Sequence, residues 1–395
     1  MSRRPIARSA DLSRLLSEGF DISIHANHLV VKNVPYVNSS KEIKYGTLIT
    51  ALNLCNDTTK QPFDHTILFA GEYPCDKDGR PIETIRNHSN ATKISDSLTA
   101  NHYFSAKPPA GNYDDYYHKI TTYASHLSGP AEAIDPLVKA AAGKFVQAGV
   151  EDDSVFRYLD TASPKAEISV VTAKLERRKV VIIGLGGTGS YLLDHVVKTP
   201  VEEIHLYDGD IFEQHNAFRA PGAASGEELA AQPTKVAYWE AKYSKMRRGI
   251  IPHTYYVDET NVDEFRDADF VFICIDDGPA KAVIIQKLEE FGLSFIDVGM
   301  GIFLRDDALG GVLRVTTSTP SKRDHVRSMH RIPMQKADGE NEYERNIQVS
   351  ELNAMNAALA IIKWKKLWLF YFDLEHEHHS TYAIDGNETT NEDNE

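Results

Sequence analysis

A strand that runs directly into a glycine loop constrains the fold of this 395-residue chain more than any other feature. Residues 179–183 read Lys-Val-Val-Ile-Ile, and Gly184, Gly186, Gly187 and Gly189 follow. A loop of this kind lets backbone amides and a helix N-terminus approach a phosphate closely. The segment therefore predicts a β-α unit that binds a phosphate-bearing ligand.

Strand and helix patterns alternate from residue 179 to about residue 380. Strand candidates lie at 179–185, 203–208, 252–257, 270–276 and 294–299. Their alternation with stretches of helical length predicts right-handed β-α-β units, and so an α/β, Rossmann-like, mainly parallel sheet with flanking helices. We expect antiparallel additions at 310–317 and 367–372 and a long helix at 351–366.

The length of the chain favours more than one domain. Residues 1–150 are expected to form a smaller α+β N-terminal domain, to which the sequence assigns no chemistry. Residues 151–178 read as a connector and 179–383 as the nucleotide-binding domain. The acidic end, 384–395, is expected to be disordered.

Composition narrows the classes of partner. The chain has 43 Lys and Arg against 57 Asp and Glu, a formal net charge of −14, which argues against non-specific nucleic-acid binding. The three cysteines, Cys55, Cys75 and Cys274, form no close-spaced pair, so we expect a reducing compartment. With no secretory signal at the N-terminus and no uninterrupted apolar span, the expectation is a cytoplasmic protein without a membrane partner.

An acidic residue stands where a nucleotide ribose would be bound. Asp208 closes the second strand, 21 residues beyond Gly187. A carboxylate at that place accepts hydrogen bonds from ribose hydroxyls. On these residues NAD fits as well as ATP, so an NAD-dependent oxidoreductase is one alternative.

Four further residues favour nucleotidyl transfer over hydride transfer. Asn216 and Arg219 follow the second strand, Lys235 comes next, and Asp276 closes the strand at 270–276. Arg219 and Lys235 can neutralise charge on an α-phosphate and a leaving pyrophosphate. Asp276 can hold Mg²⁺ at the sheet edge where ligands bind. These residues predict an ATP–Mg²⁺ site with Arg219, Lys235 and Asp276 as catalytic residues and Asp276 as the metal ligand.

Four motifs follow one another in the chain: Gly-Leu-Gly-Gly-Thr-Gly, Leu-Tyr-Asp-Gly-Asp-Ile-Phe-Glu-Gln-His-Asn-Ala-Phe-Arg, Pro-Thr-Lys and Ile-Asp-Asp. In this order and spacing they resemble the ThiF/MoeB/HesA family, the bacterial relatives of ubiquitin-activating enzymes, over about residues 155–370. The resemblance implies ATP-dependent adenylation of the C-terminal carboxylate of a ubiquitin-like protein, with release of pyrophosphate. It also implies a homodimer and, as a further partner, a conjugating enzyme. A short peptide acceptor is an alternative within the same chemistry.

The resemblance adds three residues to the expected site. Asp210 matches a second acidic position on the loop after the second strand, and Asp277 is the second aspartate of the Ile-Asp-Asp motif. Arg157, 30 residues before Gly187, matches an arginine that family members supply from the partner subunit of the dimer. The resemblance therefore implies that Arg157 is a further catalytic residue.

The chain also departs from the family pattern. Ala220 stands where the family usually has Gln, the paired zinc-site cysteines are absent, and no cysteine follows Cys274. We therefore expect adenylation without the thioester step of many family members. A non-catalytic module that recruits a ubiquitin-like protein is a further alternative from a different class.

Overall fold

The computed structural model describes residues 4–25, 27–55, 58–95, 98–141, 154–158, 160, 162–166, 168–335 and 347–394. The chain divides into two compact units, Met1–Val170 and Val171–Glu395. The division falls inside the stretch 151–178 that the sequence marks as a connector.

The first unit is built on a six-stranded antiparallel sheet in the order β1-β2-β3-β6-β10-β7. Its elements are α1 (Arg4–Arg8), α2 (Ala10–Ser17), β1 (Asp21–His25), β2 (His28–Val37), β3 (Ile43–Ala51), β4 (Leu54–Cys55), β5 (Thr58–Thr59), β6 (Thr66–Ala70), β7 (Arg86–His88), β8 (Thr92–Ser95), β9 (Leu98–Ala100), β10 (His102–Ser105), α3 (Tyr116–Ile134) and α4 (Ala162–Lys165). Helix α5 (Ser169–Thr172) spans the junction of the two units.

Helix α3 covers the core of the first unit. Asp115 caps its N-terminus by accepting a 2.7 Å hydrogen bond from the backbone amide of His118. Tyr116, Ile120 and Tyr123 recur at helical spacing and are fully buried in one core cluster with residues of the sheet. The first unit thus has a core of its own, as the sequence analysis expected of an α+β domain.

The second unit is an α/β domain with an eight-stranded mixed sheet in the order β13-β12-β11-β14-β15-β16-β17-β18. Its elements are β11 (Lys179–Ile183), α6 (Gly187–Val196), β12 (Glu203–Tyr207), α7 (Gln214–Ala217), α8 (Gly226–Ala230), α9 (Lys235–Tyr243), β13 (Ile250–His253), β14 (Phe270–Ile273), α10 (Gly278–Glu290), β15 (Phe295–Arg305), β16 (Ala308–Ser318), α11 (Asp324–Ser328), α12 (Ser350–Leu367), β17 (His379–Ala383) and β18 (Glu388–Glu392). The first five strands of this order, from β13 through β12, β11 and β14 to β15, pair in parallel. Strands β15, β16, β17 and β18 pair antiparallel.

Both faces of the parallel half are covered. Along β11, Val180 and Ile182 belong to one core cluster, whereas Val181 and Ile183 belong to another. Successive residues of a strand point to opposite faces, so the sheet lies between two apolar layers. This arrangement confirms the predicted Rossmann-like fold and explains why the strands read as continuous apolar runs.

One predicted strand is wrong. The stretch 367–372 was expected to pair with the sheet, but Leu367 is the last residue of α12 and residues 368–372 form the turn that ends the helix. The amide of Phe370 donates to the carbonyl of Lys365 at 2.9 Å, and Leu369 has a φ of +57°. This is the hydrogen-bonding pattern of a left-handed helix C-cap, which uses these residues' backbone groups before a strand can.

The expectation that residues 384–395 are disordered also differs from the structure. Residues Glu388–Glu392 form β18, which pairs antiparallel with β17. Arg331 forms ion pairs with Glu392 at 2.6 Å and with Asp393 at 3.0 Å. The acidic composition suggested a segment without packing partners. In the structure, backbone pairing with β17 and the ion pairs with Arg331 order this segment.

Among the residues that the structure describes, no helix combines the length and the apolar character needed to cross a membrane.

Candidate active site

The candidate site lies where the parallel strands end. In the sheet, Ile183 pairs with Tyr207 on one side and with Ile273 on the other, and Ile273 pairs with Asp297. The residues that follow Ile183, Tyr207 and Ile273 therefore leave the sheet along one edge, beside Asp297 on β15. This edge, at the carboxyl ends of the strands, is where open α/β sheets bind ligands.

A cavity of about 610 Å³ opens at this edge. It is lined by Gly184, Gly186, Gly187, Thr188, Asp208, Asp210, Arg219, Lys235, Cys274, Ile275, Asp276, Lys281, Val298, Gly299, Met300, Gly301, Val312, Arg314, Pro333, Gln348 and Thr381. The volume is ordinary for a small-molecule site. Eight of the residues predicted from the sequence thus line one cavity.

The glycine loop is shaped by close backbone approaches. Gly184 has a φ of +87°, and a Cβ there would lie 2.8 Å from the carbonyl oxygen of Cys274. A Cβ on Gly187 would overlap the side chain of Asn353, and one on Gly189 would overlap the carbonyl of Gly184. Gly189 is therefore needed to pack α6 against the loop, and it does not line the cavity.

Asp208 is positioned by the backbone around it. One carboxylate oxygen accepts a 2.7 Å hydrogen bond from the amide of Leu185, and the other accepts one of 2.9 Å from the amide of Asp210. The residue is buried, and burial raises the pKa of Asp208 above its usual range, although nearby Lys235 opposes the shift. The carboxylate is thus oriented at the cavity wall before any ligand binds.

Asp210 and Lys235 form an ion pair inside the cavity. The Lys235 ammonium donates to Asp210 at 2.6 Å, and Lys235 lies 3.8 Å from Asp208. Tyr256 donates its hydroxyl to the other Asp210 oxygen. Burial pushes the pKa of Asp210 up, but the hydrogen bonds from Lys235 and Tyr256 outweigh it and leave that pKa lowered. Two adjacent carboxylates thus have their pKa values shifted in opposite directions.

Arg219 carries an unsatisfied donor. Its Nε is buried and has no hydrogen-bond partner among the described residues. The backbone carbonyl of Arg219 accepts a 3.3 Å hydrogen bond from Asn353, whose side chain also accepts one from Thr188 at 2.9 Å. A buried guanidinium nitrogen without a partner costs free energy, and an anionic ligand would satisfy it.

Asp276 is exposed at the cavity, three residues after β14 ends at Ile273. The carboxylates of Asp208, Asp210 and Asp276 all line the same space, and carboxylate oxygens are the ligands that Mg²⁺ prefers. Among the described residues no group of three or more His, Cys, Asp or Glu side chains is arranged to hold a metal ion by itself. The glycine loop and the unpaired Arg219 donor fit a nucleoside triphosphate, and Asp276 is a carboxylate that could contact a metal ion carried in with its phosphates.

Two predicted ligands have structural roles instead of lining the cavity. The Asn216 side chain accepts a 2.8 Å hydrogen bond from the amide of Glu213, as part of a capping box at the start of α7. Asp277 caps α10 by accepting a 3.0 Å hydrogen bond from the amide of Ala280. Asn and Asp are common at both helix caps and ligand sites, so the sequence pattern could not separate the two roles.

Arg157 belongs to the first unit and is not among the residues that line the cavity, all of which belong to the second unit. Its assignment as an arginine supplied by a partner subunit stays a prediction.

Sequence reasoning missed three charged residues of the site. Lys281 and Arg314 line the cavity, and both contact the fully buried Asp297. The available signal was Asp297 itself, a charged residue within an otherwise apolar strand pattern. Charged residues are rarely buried without partners, so that position called for a cation on a neighbouring element.

Comparison with known proteins follows the same division of the chain. Residues 163–352 match the ThiF family, and residues 10–161 match a domain of unknown function, DUF6791. No curated protein matches the chain.

Several solved structures are similar in part. Escherichia coli MccB with MccA-N7isoASN is 17% identical with a TM-score of 0.46, covering 60% of this chain and 70% of that one. E. coli MccB with AMPCPP and MccA is 16% identical with a TM-score of 0.46, covering 59% and 72%. PaaA is 16% identical with a TM-score of 0.44, covering 57% and 75%.

The family match spans the glycine loop, the strand that ends at Asp208, and the residues from Arg219 to Asp276. Residues 163–352 of the chain therefore form a ThiF family domain, and this domain has a Rossmann-like fold.

Proposed function

We propose that this domain catalyses ATP-dependent adenylation of the C-terminal carboxylate of a ubiquitin-like protein. The supporting observation is that Asp208, Arg219, Lys235 and Asp276 line the same cavity as the glycine loop. Hydride transfer to NAD does not require the two cations Arg219 and Lys235, or the Asp276 carboxylate as a metal ligand, beside that loop. Adenylation uses each of them, so the geometry favours it over the oxidoreductase alternative.

In the proposed reaction an oxygen of the acceptor carboxylate attacks the α-phosphorus of ATP. The bond from that phosphorus to the bridging oxygen breaks, giving an acyl-adenylate and pyrophosphate. The carboxylate is already ionised at neutral pH, so no general base is needed. Arg219 and Lys235 neutralise negative charge that develops on the α-phosphate and on the leaving group.

The remaining groups of the cavity orient the nucleotide. Asp208 would accept hydrogen bonds from the ribose hydroxyls, and the loop from Gly184 to Gly187 would donate backbone amides to the phosphates. Asp276 would hold Mg²⁺, which neutralises phosphate charge when bound. Holding both reactants in line supplies much of the expected rate enhancement.

The first unit is proposed to recognise the acceptor. It has its own sheet and its own buried core, so it can present a binding surface without altering the nucleotide site. A conjugating enzyme as a later recipient of the acyl group is part of the same proposal.

Mass spectrometry of the acceptor tests the reaction directly. Candidate acceptors are ubiquitin-like proteins and short peptides encoded beside this gene, each prepared with a free and with an amidated C-terminus. The proposal expects an AMP adduct only on a free carboxylate, only with ATP, and on the ubiquitin-like protein. An adduct on the peptide alone would replace the acceptor class. Tight binding of the ubiquitin-like protein without any adduct would instead identify a non-catalytic module.

A further inference from the structure

Three charged side chains from three different elements meet at the wall of the cavity, and two of them, Lys281 and Arg314, line it. The ammonium of Lys281 lies 2.7 Å from one oxygen of Asp297, and the guanidinium of Arg314 lies 2.6 Å from the other. Asp297 has a side-chain exposure of 0% and Lys281 of 4%. Two cations thus share one carboxylate, which leaves a formal surplus of one positive charge.

The backbone is arranged to bring these groups together. Lys281 lies on α10, Asp297 on β15, and Arg314 on β16 directly across from Gly299. A Cβ on Gly299 would lie 3.1 Å from the central carbon of the Arg314 guanidinium, so a side chain there would displace it. The glycine lets the guanidinium lie against the strand and face the cavity.

The surplus charge is available to a ligand. Arg314 donates one hydrogen bond to Asp297 and one, at 2.7 Å, to Thr316. Among the described residues, the guanidinium of Arg314 thus uses two of its five donors. Both Lys281 and Arg314 line the cavity. Burying charged groups costs free energy unless they are well paired, so cations that share a single carboxylate at a cavity wall favour contact with a bound anion.

The position along the sheet separates this group from the nucleotide-binding residues. Asp208 follows β12 and Asp297 lies on β15, with β11 and β14 between them. Neighbouring strands lie about 4.8 Å apart, so β12 and β15 are separated by roughly 14 Å. The glycine loop and Asp276 leave the sheet from the two strands between. Across the edge, Asp208 therefore comes first, followed by the glycine loop, then Asp276, and then the Lys281–Arg314 pair.

We propose that Lys281 and Arg314, held by Asp297, bind the carboxylate of the acceptor beside the triphosphate. This inference rests on the proposed adenylation and assigns the binding of its second substrate. A single surplus charge matches a single carboxylate better than a pyrophosphate, which carries several negative charges. The planar guanidinium also suits the two oxygens of a carboxylate. Lys281 and Arg314 would contact the attacking group, whereas Asp297 would be a positioning residue.

The test uses a matched pair of small probes on the full chain. N-acetylglycine carries a carboxylate, and N-acetylglycinamide is the same molecule without the charge. Their binding is measured by NMR titration with AMPCPP present, and AMPCPP binding is measured separately by calorimetry. We expect the wild-type protein to bind the acid at least tenfold more tightly than the amide.

Variants then assign the subsite. Arg314→Gln should weaken binding of the acid at least tenfold and change AMPCPP binding by less than twofold, and Arg314→Lys should recover part of the loss. Arg305→Gln, on the same hairpin at an exposed ion pair with Asp306, is the matched control and should leave both affinities unchanged. Thermal unfolding of each variant shows that the fold persists.

Three results would overturn the proposal: equal binding of acid and amide, no detectable binding of the acid, or an Arg314→Gln variant that loses AMPCPP affinity while keeping acid affinity. The last result would assign the pair to the triphosphate. Failure of the adenylation proposal is distinguishable, because the probe is scored by binding alone and needs no reaction.

Discussion

The ammonium group of Lys235 lies 2.6 Å from a carboxylate oxygen of Asp210. Lys235 is buried, whereas the Asp210 side chain is about half exposed, so the pair sits at the boundary of cavity and solvent. Lys235 must exchange this partner for a phosphate in order to act in adenylation. The exchange leaves the buried Lys235 with an anionic partner, because the phosphate replaces the carboxylate, and the half-exposed Asp210 can be hydrated.

Substitutions in the glycine loop should separate stability from ligand binding. Gly187→Ala places a methyl group on the side chain of Asn353 and should destabilise the fold by about 1–3 kcal/mol, as overpacking does. Gly186→Ala meets no atom within 4 Å and faces the cavity, so it should leave the melting temperature unchanged and weaken AMPCPP binding. Thermal unfolding and calorimetry measure the two effects. A Gly186→Ala variant with wild-type affinity would show that phosphates do not bind there.

Nucleotide affinity should depend on pH through Asp208. Burial raises the pKa of this carboxyl above its usual value of about 4, and only the ionised form can accept hydrogen bonds from both ribose hydroxyls. AMPCPP affinity should therefore fall as the pH is lowered through that raised pKa and level off above it. Asp208→Asn should bind weakly and lose this acid limb, leaving only the titration of the phosphates. An unchanged acid limb in Asp208→Asn would assign it to another group.

The ThiF family domain is expected to be a homodimer whose sites use Arg157 from the partner subunit. Arg157→Ala and Asp276→Ala should each be inactive alone, and mixing them should restore activity because one site of each mixed dimer has both residues intact. Light scattering in the presence of ATP measures the oligomeric state. A monomer at micromolar concentration, or mixed variants that stay inactive, would remove Arg157 from the site.

No thioester should form on the second unit. Its cysteine, Cys274, directly follows the central strand β14 and lines the cavity. Burial raises the pKa of this half-buried thiol, which makes it a poor nucleophile at neutral pH. Incubation with acceptor and ATP, followed by electrophoresis with and without reductant, should show no reductant-sensitive adduct. An adduct that maps to Cys274 would contradict this prediction, and one at Cys75 would make the first unit catalytic.

The parts of the site that sequence predicted depend on local order. The glycine loop and Asp208 each follow directly from a strand, and strands that pair in parallel bring their ends to one edge. Chain position relative to a strand therefore located these groups without knowledge of the packing.

The parts that sequence missed depend on pairings between distant elements. Arg314 reaches Asp297 only because β16 turns back along β15, and nothing within either segment specifies that register. The sequence did not show that Asp277 and Asn216 cap helices outside the cavity lining, because a cap and a ligand site use the same residue types. Helix capping at Leu369 and the Arg331 contacts of the C-terminal strand are likewise tertiary features.

ATP–pyrophosphate exchange tests the central claim most directly, because it requires both reversible adenylation and an acceptor carboxylate. The wild-type protein should exchange labelled pyrophosphate into ATP only when a ubiquitin-like acceptor with a free C-terminus is present. Asp276→Ala should lower the exchange rate by about 10²-fold or more through loss of a metal ligand. Asp277→Ala, which removes only the cap of α10, should keep exchange and lose about 1 kcal/mol of stability. Exchange at a near wild-type rate in Asp276→Ala, or none in the wild-type protein with any free carboxylate acceptor, would contradict the account.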